Sequence, residues 1–163
     1  MAITSFNTNY SGRTRDINIL KVKSYTNNQT QTATIGFGNP SQYISGVEKL
    51  VQRYAILFLT NLGSQINYPT FGTNFLTALQ ENPSNISSLQ AQHLFNYSNN
   101  VVISIFTTYQ ANNPGLPLDE QFSSAQLVGF ASNGTTVNMS IAITSLSGSN
   151  VEFILPLPIS ANN

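Results

Sequence analysis

The chain has no cysteine, no tryptophan and one histidine, and only 7% of its residues are charged. Without thiols there can be no disulfide, no thiolate metal site and no cysteine nucleophile. His93 and six scattered acids offer no His-x-x-His, H-E-x-x-H or D-x-D cluster, so neither a metal nor a cofactor is expected. Long apolar runs are also missing. The longest, Tyr54 to Leu59, spans six residues, where a membrane helix needs about 20. The opening MAITSFNTNYSGR lacks the basic and apolar regions of a secretory signal, so a soluble protein made in the cytoplasm is expected.

Bases are absent from two thirds of the chain. All six Lys and Arg lie at or before Arg53, leaving the first 53 residues at +4 and the remainder at −4. Complementary fields of this kind can orient neighbouring subunits at close range; drift in a low-charge sequence produces the same asymmetry. Arg13, Arg15, Lys21 and Lys23 form a small basic stretch. Zero net charge supplies no strong counterion-release term, so nucleic-acid binding is not expected.

In place of charge the chain has Asn, Gln, Ser and Thr, together 67 of 163 residues. Its length fits one domain able to bury a core. Ser45 and Glu48 have capping-box spacing, and Val47, Leu50, Val51, Tyr54, Phe58 and Leu62 recur at helical steps, predicting a helix over 46–62 with Gly63 as its C-cap. Thr73 caps a second helix over 73–82, stopped by Pro83. A third is expected over 85–111, with Ile86, Leu89, His93, Tyr97, Val101, Ile105 and Tyr109 along one face and Leu94, Val102 and Phe106 beside them. Asn112-Asn113-Pro114-Gly115 ends it.

The period then changes to two. Residues 126–131, 136–145 and 150–158 read as an antiparallel meander with turns at Ser132-Asn133-Gly134 and Ser147-Gly148-Ser149. Pro156 and Pro158 remove two donors from one edge of the last strand. Either that strand stops at Leu155, or it is a one-sided edge whose open side accepts another chain's strand. Before the first helix, Asp16 to Lys23 reads as one strand with Ile17 and Ile19 on one face. Residues 24–45 read as a loop or a strand with flexible flanks, with a turn at Gly36-Phe37-Gly38. The expected fold is α+β: three helices packed on a small C-terminal antiparallel three-stranded sheet. Residues 1–44 form an extended N-terminal arm and loop, and 45–163 a single domain.

Catalytic groups are scarce. A Ser-His-Asp triad would require His93 with Asp16 or Asp119, and no G-x-S-x-G elbow presents a serine. Glycoside hydrolysis needs two carboxylates about 5 to 9.5 Å apart. Glu48 is assigned to a helix cap, Glu81 to a helix end and Glu152 to a strand, while Asp119 and Glu120 are adjacent on a loop. No catalytic residue is assigned and the chain is not expected to be an enzyme.

One segment carries a family resemblance. A helix leads through Leu59–Asn61 to Gly63, then across a polar gap to Pro69 and Phe71-Gly72, with Phe75, Leu76 and Leu79 following. This order resembles the small baseplate wedge subunit, or tail sheath initiator, of contractile-tail phages, with relatives in pyocins and type VI secretion baseplates. The close match covers about 35 residues. The resemblance implies a structural protein of the virion tail baseplate, assembled in the bacterial host cytoplasm and present in six copies. Its partners would be other wedge subunits and the tail sheath protein, with tube or hub proteins as further candidates, and neither nucleic acid nor membrane.

The implied role is docking in the wedge and templating the first sheath ring by strand addition. Gly63, Pro69, Phe71, Gly72, Phe75, Leu76 and Leu79 would form the baseplate-facing family motif. Val137, Met139, Ile141, Val151, Phe153 and Leu155 would mark the sheath-facing sheet. The alternatives are a tail-associated peptidoglycan hydrolase and another non-enzymatic tail adaptor. Two departures stand out: Ser64-Gln65 replaces the family's Glu-Arg, and no Glu-Pro-Arg motif occurs near 119–128.

Overall fold

The structure, a computed structural model, describes residues 15–24, 30–35, 43–81, 86–133 and 136–158. Its elements in chain order are β1 (Asp16–Ile17), β2 (Leu20–Ser24), β3 (Thr30–Ile35), β4 (Tyr43–Ile44), α1 (Val47–Leu59), α2 (Phe75–Glu81), α3 (Ser88–Asn112), β5 (Phe122–Ser132), β6 (Thr136–Ser145) and β7 (Asn150–Pro158). The class is α+β, as the periodicities require. The meander β5-β6-β7 belongs to a five-stranded sheet in the order β2-β3-β7-β6-β5. β3 joins β7 in parallel, while β1 pairs with β4 in a separate ribbon. Part of the segment read as an extended arm is therefore built into the sheet. Residues 36–38, 82–85 and 134, each assigned a turn or helix signal, lie outside the described residues.

Alternation along β6 and β7 turns Val137, Met139, Ile141, Ile143, Val151, Phe153, Leu155 and Leu157 to one buried face. The helices cover it: α1 packs on β6 and β7, α3 on β5, and α2 against both longer helices. Aromatic rings fill the interface. Tyr54 stacks on Phe58 and Phe122 with centroids 5.6 and 5.8 Å apart, and Phe58 meets Phe75 at 4.5 Å. The Tyr54 hydroxyl donates to Asn99 Oδ1 at 2.9 Å, and Asn99 Nδ2 donates to the Ala125 carbonyl at 3.3 Å. Those two bonds tie α1 through α3 to β5. Burial pushes the Tyr54 phenol well above its ordinary range, so it stays a neutral donor.

Several local expectations are corrected. The capping box sits not at Ser45 and Glu48 but at the start of α3, where the Ser87 Oγ accepts from the Gln90 N–H and Gln90 Oε1 accepts from the Ser87 N–H. Helix α1 has Gly46 as N-cap without a side-chain cap of its own and ends at Thr60, not Gly63. On α3 the buried stripe is Ala91, Phe95, Ser98, Asn99, Val102 and Phe106, while Leu89 and Tyr97 are each 68% exposed. Small and polar residues line that stripe because α3 lies close on β5 and bonds its backbone. Asp16 to Lys23 is likewise not one strand. The buried Gln52 side chain accepts from the Ile19 N–H and donates to the Ile17 carbonyl, both at 2.9 Å, interrupting the strand between β1 and β2.

Gly72 is required by close approach. With φ at 110°, its missing Cβ would press against the Thr60 carbonyl oxygen and the Asn61 backbone. Gly63 also has a positive φ, 78°, but open space around it. Gly72→Ala is therefore expected to cost roughly 3 kcal/mol, combining backbone strain with overpacking. Gly63→Ala should cost only about 1 to 2 kcal/mol. Urea unfolding of the two variants checks the order; equal losses would show that the Gly72 contact is not limiting.

Candidate functional site

The residues assigned to a sheath-facing surface do not form one. Val137, Met139, Ile141, Val151, Phe153 and Leu155 are all buried beneath the helices. Their periodicity marks the core face of the sheet, and no partner's side chains can reach them while the helices are in place. A partner could use β6 and β7 only through the opposite face, whose residues are exposed or half-buried, or use the sheet through a backbone edge.

The last strand does not offer that edge. β6 keeps register with β7 through Asn138↔Pro156 and Thr136↔Pro158, which places the proline nitrogens on the far side, toward β3. β3 pairs with β7 at Thr30↔Glu152, Gln31↔Phe153 and Thr32↔Ile154, and this pairing ends before the first proline. The strand thus continues past Leu155; the side with intact donors is taken along its length by the chain's own β6, and β3 takes residues 152–154 of the other. Neither alternative read from the prolines holds.

Among the described strands, β5 lies at one edge of the five-stranded sheet. Its eleven residues, FSSAQLVGFAS, contain no charge and no proline, and its pairing with β6 is broken by irregularities at Phe122/Ser124 and Leu127/Gly129. Side chains of α3 take up the first part of this strand: Gln110 Oε1 accepts from the Phe122 N–H at 2.7 Å, and Asn99 holds the Ala125 carbonyl. From Gln126 to Ala131, no strand among the described residues pairs with the outer side of β5. Val128, at the second irregularity, is exposed.

The family-motif residues divide in two. Phe75 and Leu79 are core, Leu76 packs against it, and Gly72 lies buried against the end of α1. Gly63 and Pro69 are exposed, and Phe71 is half-buried. Together they close a loop: Asn61 bridges Thr73, the Leu62 N–H donates to the Thr73 carbonyl at 3.0 Å, and the Thr73 N–H donates to the Thr60 carbonyl at 2.8 Å. Thr73 Oγ1 adds a bond to the Phe58 carbonyl and accepts from the Phe75 N–H. The loop so pinned holds Leu62, Ile66 and Tyr68 out in solvent.

The candidate chemical groups lie apart. His93 is exposed on α3, as are Glu48 on α1 and Glu81 on α2. Glu152 is half-buried within β7. Among the described residues no group of three or more His, Cys, Asp or Glu could hold a metal ion, and no helix is long and apolar enough to cross a membrane. Of the basic stretch, Arg13 lies outside the described residues and Arg15 is exposed.

Glu120, read only as a loop acid, is instead 1% exposed. Its Oε2 accepts from Lys49 Nζ at 2.9 Å and its Oε1 from the Gly46 N–H at 3.2 Å. It caps α1 from 74 residues away, satisfying a donor of the helix N-terminus and favouring the dipole there. Spacing rules look within a few residues of a helix start, so they do not find it.

A second feature also lacks a local signal. A cavity of about 460 Å³ opens between α1, α3 and the pinned loop, lined by Arg53, Ile56, Tyr68, Phe71, Phe106 and Tyr109 among others. The Arg53 guanidinium carbon lies 4.0 Å from the centroid of the Tyr109 ring. Compared with protein-family models, curated proteins and solved structures, the chain matches none.

Removing one member of a buried ion pair removes attraction that offsets the desolvation of the other. Glu120→Gln is expected to destabilise the fold by about 3 kcal/mol, and adding Lys49→Met should restore part of the loss. Urea midpoints with unchanged slopes provide the measurement. A Glu120→Gln variant as stable as the parent would remove the carboxylate from its capping role.

Proposed function

We propose that this chain is a structural assembly subunit that pairs with a neighbouring protein through the outer edge of β5, and that its setting is the baseplate of a contractile tail. The observation carrying the reading is the stretch of β5 from Gln126 to Ala131, where no strand among the described residues pairs with its outer side: an uncharged edge without the lysine or proline that ordinarily blocks pairing. Strand addition draws its affinity from main-chain hydrogen bonds and needs little side-chain charge. A chain with 7% charged residues suits that mode of recognition. The resemblance of residues 45–79 to sheath initiators supplies the setting. The first sheath ring would add a strand at β5, since β6 and, over residues 152–154, β3 already pair with β7.

The experiment compares backbone hydrogen exchange of the free chain with that of the chain in tail particles. Amides of residues 126–131 are expected to slow on assembly. The double change Val128→Lys and Ala131→Lys should lower incorporation roughly tenfold by placing charge on the edge, while leaving the free chain's Tm within about 2 °C. Antibody labelling should mark the baseplate end of the tail. Unchanged exchange along β5 in labelled tails would put the interface elsewhere on the chain; absence of label from contractile tails would overturn the setting.

A further inference from the structure

We infer that the cavity between α1, α3 and the pinned loop receives an aromatic or large aliphatic side chain of a partner protein whose adjacent residue is Asp or Glu. The inference does not depend on the tail setting. A volume of about 460 Å³ is within the range of binding pockets, and Ile56, Phe71 and Phe106 give it apolar walls. Buried anchors of this kind dominate the energetics of protein interfaces.

Arg53 selects the charge. Its guanidinium is held by the Tyr109 ring at 4.0 Å and lies 6.0 Å from the Phe106 centroid, and no described carboxylate pairs with it. No Lys or Arg follows it in the sequence, and none of the four acids that follow lines the cavity. A cation over aromatic rings retains N–H donors for a carboxylate, and desolvation by an apolar neighbour strengthens the pair.

The mouth selects a protein over a small acid. Ile66 is 96% exposed and Tyr68 68% exposed on the loop that forms one wall, and Leu62 of the same loop is exposed too. Of these only Tyr68 lines the cavity, so a small molecule seated inside would leave Leu62 and Ile66 in water. A polypeptide covers both.

The test is an NMR titration of the full chain with two capped tetrapeptides, acetyl-Gly-Phe-Glu-Gly-amide and its Gln counterpart, at up to about 10 mM, enough to saturate a site with a Kd near 1 mM. The acidic peptide should shift amides of residues 53–57, 65–71 and 105–109. The Gln peptide should bind about tenfold more weakly, equivalent to 1.4 kcal/mol. Arg53→Gln should abolish the difference between the peptides, and Ile66→Ser should weaken both. Equal binding of the two peptides to the parent chain, or no shifts around the cavity, would overturn the proposal without requiring any variant to fold. If 3-phenylpropionate binds as tightly as the acidic peptide, the cavity is a small-acid site and the protein-partner inference fails.

Discussion

The buried carboxylate of Glu120 is the constraint on which the arrangement of helices and sheet depends. It arrives from the connection between α3 and β5, yet its oxygens are spent on Gly46 and Lys49 at the start of α1. That one side chain fixes where α1 begins relative to where the meander begins. The neighbouring backbone bonds reinforce the position: the Leu146 N–H donates to the Gln121 carbonyl at 2.9 Å and the Ser147 N–H to the Leu118 carbonyl at 3.1 Å. With both ends anchored, Tyr54 reaches Asn99, and Asn99 reaches the β5 backbone. A chain with only 7% charged residues keeps an ion pair inside, where removing either partner is costly.

Regular alternation made the meander legible. Residues 136–145 and 150–158 required no tertiary information, because a strand with one buried face writes its period into the chain. The helices were legible as helices, but the inner face of α3 was not: Ala91, Ser98 and Asn99 are buried by close packing and backbone bonding rather than hydrophobicity. The same limit hid Gln52 and Glu120, whose partners lie 33 to 74 residues away. It also turned the sheath-facing assignment inside out, since an apolar strand face looks alike whether it meets a partner or the protein's own helices. The cavity at Arg53 depends on three separated segments and leaves no local pattern.

The two candidate contact surfaces use different physics. Along β5 the available groups are backbone donors and acceptors, indifferent to the partner's side chains except for bulk and charge. At the cavity, shape and one cation discriminate. The first suits a contact repeated along an assembly and the second suits a contact that must choose its partner. The loop 62–72 is well placed for the latter because its ends are closed by the Asn61–Thr73 bridge, so much of the ordering cost of its exposed side chains is met within the monomer.

The parallel junction of β3 with β7 bears on how the chain acquires its shape during synthesis. Pairing Thr30 with Glu152 closes a loop of about 120 residues, among the largest entropy costs in the fold. β3 leaves the ribosome well before its partner exists, and only β2 can occupy one of its sides in the meantime. Until β7 arrives the other side is a vacant pairing edge in a crowded environment, open to another nascent copy. The order of emergence thus makes the interval between residues 35 and 150 the period when misassembly competes with folding, and rapid closure of the local helices and the β6–β7 turn shortens it.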